Sequence, residues 1–102
     1  MTEECTLEID DGTAHLRGAL VFGSAGLLYR EMERKRTEGA NPNRIDLSGV
    51  TSVDSAGLAL LLEWQAAAGG GLSMTGAPSS LEQLARLSEA TELLRLGGRE
   101  TG

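Results

Sequence analysis

Cysteine occurs once in this 102-residue chain, as Cys5, so no internal disulfide can form and the sequence suits a reducing compartment. Histidine also occurs once. His15 stands apart from any cysteine or carboxylate cluster at ligand spacing, which makes it a poor metal or catalytic candidate. The aromatics are Phe22, Tyr29 and Trp64 alone, so leucine, alanine and valine must build the core. Basic residues are outnumbered 9 to 15, and a net charge of −6 argues against a nucleic-acid binder. The one basic cluster, Arg34-Lys35-Arg36, follows Glu31 and Glu33 and reads as a solvated helix end rather than a phosphate or lipid site. The longest apolar run, Gly57 to Leu62, is too short to span a membrane, and the acidic N-terminus does not resemble a signal peptide. No phosphate-binding glycine loop or nucleophile elbow is present, so neither an enzyme nor a cofactor or metal site is expected.

What is present fits one small domain rich in turns. Thr6–Asp10 alternates polar and apolar, Asp11-Gly12 supplies a hairpin turn, and alternation resumes from Thr13 to Gly18. From about Ser24 to Glu38 the period becomes helical, with Leu28 and Met32 four apart and Ser24 placed to cap. A third strand carries Ile45 and Leu47 on one face. A second helix runs from about Ser55 to Ala68, where three glycines stop it. Leu72–Thr75 alternates again as a fourth strand. Pro78-Ser79-Ser80 then opens a third helix with the apolar stripe Leu81, Leu84, Ala85 and Leu87, and Ser79 with Glu82 fits a capping box. Residues 92–96 form a short apolar segment of undecided type. Residues 1–97 are expected to form the domain and 98–102 a frayed tail.

All four strands alternate, so each is covered on one face; helices on both faces would instead give continuous apolar strands. The strand–strand–helix–strand–helix–strand–helix order therefore predicts an α/β fold. Its small mixed sheet would have four to five strands, with the helices packed mainly on one face and right-handed helical crossovers.

The stretch Arg44–Trp64 carries the most information. It reads as a short strand, a tight polar loop and a helix starting at Asp54-Ser55-Ala56-Gly57. Asp54 and Ser55 can both accept from the free amides of the first helical turn, and Gly57 allows close approach of a backbone, whether a partner's or the domain's own. At roughly 100° per residue, Leu58, Leu61 and Leu62 form one stripe facing the sheet. The opposite side carries Ala56, Leu60 and Ala67, with Trp64 on its flank and Glu63 the single interruption. A helix apolar on both sides is usually covered twice. The predicted partner surface is thus Ser55, Ala56, Ala59, Leu60, Glu63 and Trp64, with Trp64 as anchor unless it folds back onto the domain's own edge.

Ile45–Leu62, and above all the run Asp54-Ser55-Ala56-Gly57-Leu58-Ala59-Leu60-Leu61-Leu62, resembles the signature of STAS domains. Within that family it looks most like the D-[ST]-x-G-L-A-L-L-L of the MlaB-like subunits. Anti-sigma-factor antagonists commonly carry an acidic G-E-L-D after the second strand, where this chain has Gly18-Ala19-Leu20-Val21 and neither acid. The resemblance implies a non-catalytic cytoplasmic subunit, peripheral to the inner membrane through its partner. It would bind the ATPase of a phospholipid ABC transporter, and through it the permease. Such complexes help keep the outer membrane of Gram-negative bacteria asymmetric in its lipids. The position of Ser55 is the serine phosphorylated in the antagonists, which makes Ser55 a candidate phosphosite. The alternative partner is an anti-sigma-factor kinase. A carrier that binds lipid or nucleotide directly is a third reading, without a pocket legible in the sequence.

Overall fold

Asp11 and Gly12 both take positive φ, 53° and 81°, so the first turn is of the mirror-image kind whose twist matches the strands it joins. In the computed structural model, which describes residues 4–95, this turn links β1 (Cys5–Asp10) to β2 (Thr13–Leu20). The chain continues through α1 (Phe22–Thr37), β3 (Arg44–Val53), α2 (Ser55–Ala67), β4 (Ser73–Thr75), α3 (Ser79–Leu87) and α4 (Thr91–Leu94). The sheet has four strands in the order β1-β2-β3-β4. β1 and β2 are antiparallel, whereas β2–β3 and β3–β4 are parallel and joined through helices. This is the mixed α/β sheet expected from the alternation. The expected frayed tail, 98–102, lies outside the described residues.

One face of the sheet is apolar and covered. Leu7, Ala14, Leu16, Ile45, Leu47 and Met74 are buried there, together with Leu28 and Met32 of α1, Leu58 and Leu61 of α2, and Leu81 and Ala85 of α3. The other face is polar and open. A transverse row crosses all four strands there, Glu8 opposite His15, His15 opposite Asp46, and Asp46 opposite Thr75. His15 Nδ1 lies 2.9 Å from Asp46 Oδ2, and the amide of Ser48 donates to Asp46 Oδ1 at 3.0 Å. The Ser48 amide and hydroxyl, then His15, hold the Asp46 carboxyl below the usual carboxylate range.

Four element boundaries differ from the sequence reading. Gly18–Leu20 is the end of β2 rather than a loop, and β3 extends through Ser48–Val53, where the polar composition suggests a loop. Both extensions are paired, Ala19 with Ser52 and Leu20 with Val53, across a register shift that follows Gly18. Ser24 is the third residue of α1, not its cap; its Oγ accepts from the Val21 amide at 3.1 Å and donates to the Ala19 carbonyl at 2.6 Å. Ser79 likewise is the first residue of α3, which Pro78 precedes, and no side chain caps it. Leu87, on the far flank of that helix, is exposed. Of the undecided segment near the C-terminus, residues 92–94 belong to α4, whose Leu94 is fully buried, and residue 96 lies outside the described residues.

Gln65 ties α2 to α4 and to the connection that precedes β4. It is buried on α2; its Nε2 donates to the carbonyls of Leu72 and Leu94, each at 2.9 Å, and its Oε1 accepts from the Leu72 amide at 2.8 Å. The side-chain amide thereby satisfies backbone groups of the α2–β4 connection and of α4 that would otherwise be buried without partners.

Candidate functional site: the exposed face of α2

The N-terminal end of α2 is built around Asp54. Its Oδ1 accepts from the amides of Ala56 at 2.9 Å and Gly57 at 3.1 Å, which makes Asp54 the N-cap. Its Oδ2 accepts from the amide of Phe22 at 3.0 Å. One carboxylate therefore ties the starts of α1 and α2 together. Partial burial pushes this carboxyl up, but the amides of Phe22, Gly57 and Ala56 outweigh it and hold it below the ordinary range. Ser55 is not a cap; it is the first helical residue and is exposed. Gly57 is buried, and a Cβ built there would collide with the Leu20 carbonyl oxygen. The glycine thus serves the domain's own packing, seating α2 on the end of β2. The Leu20 carbonyl also accepts from the Asp54 amide at 3.3 Å.

The Asp54 geometry sets a pH dependence with a defined sign. A carboxyl whose folded-state pKa lies below its unfolded value of about 3.9 stabilises the fold above that value, and the contribution fades as pH falls through the folded pKa. Asp54→Asn keeps one oxygen and can serve the α2 amides or the Phe22 amide, but not both. We expect Asp54→Asn to lower unfolding free energy by about 1 kcal/mol at pH 7. In urea titrations at a series of pH values, the gap to wild type should close as pH drops below about 4. A gap of constant size down to pH 2 would show that the charge on Asp54 contributes nothing.

The burial pattern along α2 corrects the predicted partner surface. Leu60 is 6% exposed and Trp64 is fully buried, so neither faces solvent and Trp64 belongs to the domain's own core. Leu62, read as sheet-facing, is only half-buried, whereas Ser55, Ala59, Glu63, Ala66 and Ala67 are exposed and Ala56 is half-buried. The buried arc of the helix is therefore turned by roughly 80° from the one inferred at 100° per residue. The reason is tertiary. α2 packs against β3, α1, α3 and α4, so that among the described residues one narrow strip remains uncovered.

That strip runs from Ser55 through Ala59 to Leu62 and Ala66, with Glu63 as the only charge. Four of the six predicted residues (Ser55, Ala56, Ala59 and Glu63) lie on it. At its N-terminal end stands Phe22, 82% exposed and fixed through its amide to Asp54. At the other end, Leu62, Gln65, Ala66, Gly69, Gly70 and Leu93 line an apolar groove of about 380 Å³. Leu93 is 64% exposed. Sequence reasoning missed Phe22, Leu62, Ala66 and Leu93 as surface residues. A signal existed for Phe22, an aromatic beside glycine at a helix start, but none fixed the phase of a helix apolar on every side.

Small side chains flanked by an aromatic and an apolar groove offer close backbone approach and large contact ends, which suits the docking of a macromolecule. The architecture is a one-sided α/β domain with a four-stranded mixed sheet. The family model described as Mlab, STAS domain, matches residues 5–95, and the chain belongs to the STAS-domain family. Domains of this family are generally non-enzymatic binding domains. Among curated proteins, none matches the sequence. Among the described residues, no helix is long and apolar enough to cross a membrane.

Proposed function

We propose that this protein is the non-catalytic STAS subunit of a phospholipid ABC transporter, bound on the cytoplasmic side to the ATPase and through it to the permease. The observation that carries the reading is the MlaB-type match across residues 5–95, on a chain whose exposed α2 strip is small and apolar. The ATPase docks along Ser55, Ala56, Ala59 and Glu63, with Phe22 and the Leu62–Leu93 groove gripping the two ends of the interface. Binding one conformation of the ATPase better than another stabilises its active arrangement, and the nucleotide belongs to the partner. The transport serves the lipid asymmetry of the outer membrane.

A second reading, an anti-sigma-factor antagonist switched by phosphorylation, is favoured by one feature, the exposed Ser55 hydroxyl at the first position of α2. A phosphate there would meet the helix dipole and place charge on the docking strip under either reading, so Ser55→Asp does not separate them. Partner identity does. A tagged pull-down in mild detergent should recover an ABC ATPase with its permease. Recovery of a serine kinase that binds a sigma factor moves the protein to the antagonist reading. Ala59→Arg, at an exposed helical position, should leave the thermal transition in place and weaken capture of the partner by about 100-fold, the loss typical of an interface centre. Wild-type capture by this variant would place the interface elsewhere.

A further inference from the structure

β1 forms one edge of the sheet, paired among the described residues with β2 alone. The carbonyl of Glu4 accepts from the amide of Ala19 at 2.9 Å, in line with the register Cys5–Gly18, Thr6–Arg17 and onward. In an antiparallel pair, opposed residues alternate between those that exchange both bonds and those that exchange none. Thr6, Glu8 and Asp10 therefore turn their backbone groups towards β2, while Cys5, Leu7 and Ile9 turn theirs outward, off the edge. Alongside this edge, α1 leaves a groove of about 330 Å³ whose walls include Leu7, Leu27 and Leu28, with Glu31 at the rim. Leu27 is 66% exposed over it.

We propose that this edge and groove form a second docking site, separate from the α2 strip, that takes an extended peptide segment of alternating apolar and basic residues by strand addition. Three features select that occupant. The outward amides and carbonyls of Cys5, Leu7 and Ile9 supply a ladder that any extended backbone can join. The pleat sends alternate side chains of an added strand to the two faces of the sheet, so one set lies in the groove against Leu27 and must be apolar. The other set lies on the open face beside Glu8 and Asp10, which are exposed. His15 there is engaged by Asp46, and Glu31 on the groove side is already paired with Arg34 at 2.6 Å. Arg17, opposite Thr6 on that face, lies over Gly49 of β3, where an added Cβ would come within 2.8 Å of the Arg17 Cγ, and so leans away from the edge. The charge nearest the added strand is thus negative, and its open-face residues must be basic. A second copy fits badly. Two β1 strands crossed at Leu7 would set Glu4 against Asp10 at both ends, like charge opposite like.

The test uses the full chain and an acetylated, amidated seven-residue peptide alternating valine and lysine. Saturable binding is expected, with amide hydrogen exchange slowed at Cys5, Leu7 and Ile9 and unchanged at Thr6 and Glu8, which serve as internal controls. A valine–glutamate peptide should bind at least 10-fold more weakly. Leu27→Asn and Glu8→Lys, both at exposed positions, should each weaken the valine–lysine peptide by about 10-fold with the thermal transition retained. No protection at millimolar peptide, protection confined to α2, or protection of the same amides by self-association without peptide would each overturn the proposal. The site does not depend on the transporter reading, so a failed pull-down leaves this outcome unchanged.

Discussion

Replacing Leu60 with glutamate should abolish the cooperative fold. Leu60 is 6% exposed on the side of α2 that faces the domain's own interior. The substitution removes a buried leucine, worth about 2–5 kcal/mol in comparable cores, and brings in a carboxylate with no basic partner in α2, whose only charged residue is Glu63. Against a total stability of about 5–15 kcal/mol for a domain of this kind, that sum leaves little or nothing. Far-ultraviolet circular dichroism through a urea titration should show no native baseline, or a midpoint close to zero denaturant. Ala59→Glu, one residue away and exposed, is the matched control; it should shift stability by no more than about 0.5 kcal/mol. A folded Leu60→Glu protein with an unfolded Ala59→Glu protein would mean that α2 is turned the other way, and the docking strip would move with it.

The pair of positions also shows what sequence could and could not reveal. Strand alternation is enforced by a period of two, so a half-covered sheet writes its covered face directly into Leu7, Leu16, Ile45, Leu47 and Met74. Helix α1 is legible for the same reason, because Leu28 and Met32 stand out against charged neighbours. Helix α2 has no such contrast. With leucine or alanine at most of its positions, its apolar pattern has no phase, and the orientation comes from α1, α3 and α4 packing along its flanks. Gln65 misleads in the opposite sense, since a polar residue reads as surface until its three hydrogen bonds to distant backbone are seen. The polar tract Ser48–Ser52 fails for a related reason. Its residues form strand because β2 continues beside them to Leu20, a non-local pairing that composition does not encode. The signature around Asp54 marked the right end of the right helix, and four of the six surface residues inferred from it lie on the exposed strip.

Gly57→Ala should be among the most damaging single-methyl additions in this chain, against the direction that helix propensity alone predicts. In an exposed helix interior, alanine is favoured over glycine by about 1 kcal/mol. At Gly57 the added carbon would overlap the carbonyl oxygen of Leu20, a backbone atom held in place by β2–β3 pairing and by the Asp54 amide. That backbone group cannot yield as a flexible side chain would. Relief requires α2 to lift from the end of β2, which loosens the Asp54 bonds to Ala56, Gly57 and Phe22 together. We expect a net loss of about 3 kcal/mol, the upper range for overpacking. For a domain of this size, that corresponds to a fall in Tm of more than about 10 °C. Gly26→Ala provides the contrast. A Cβ at Gly26 meets open space on α1, and the change should be neutral or stabilising by up to about 1 kcal/mol. Differential scanning calorimetry of both variants reads the difference directly. Because the lifted end of α2 carries Ser55, partner capture by Gly57→Ala should also fall at temperatures where the variant remains folded, whereas Gly26→Ala should capture as wild type does. Equal stability of the two variants would mean that α2 is not seated on the Leu20 carbonyl, and the glycine would then have to be explained by the backbone of a partner.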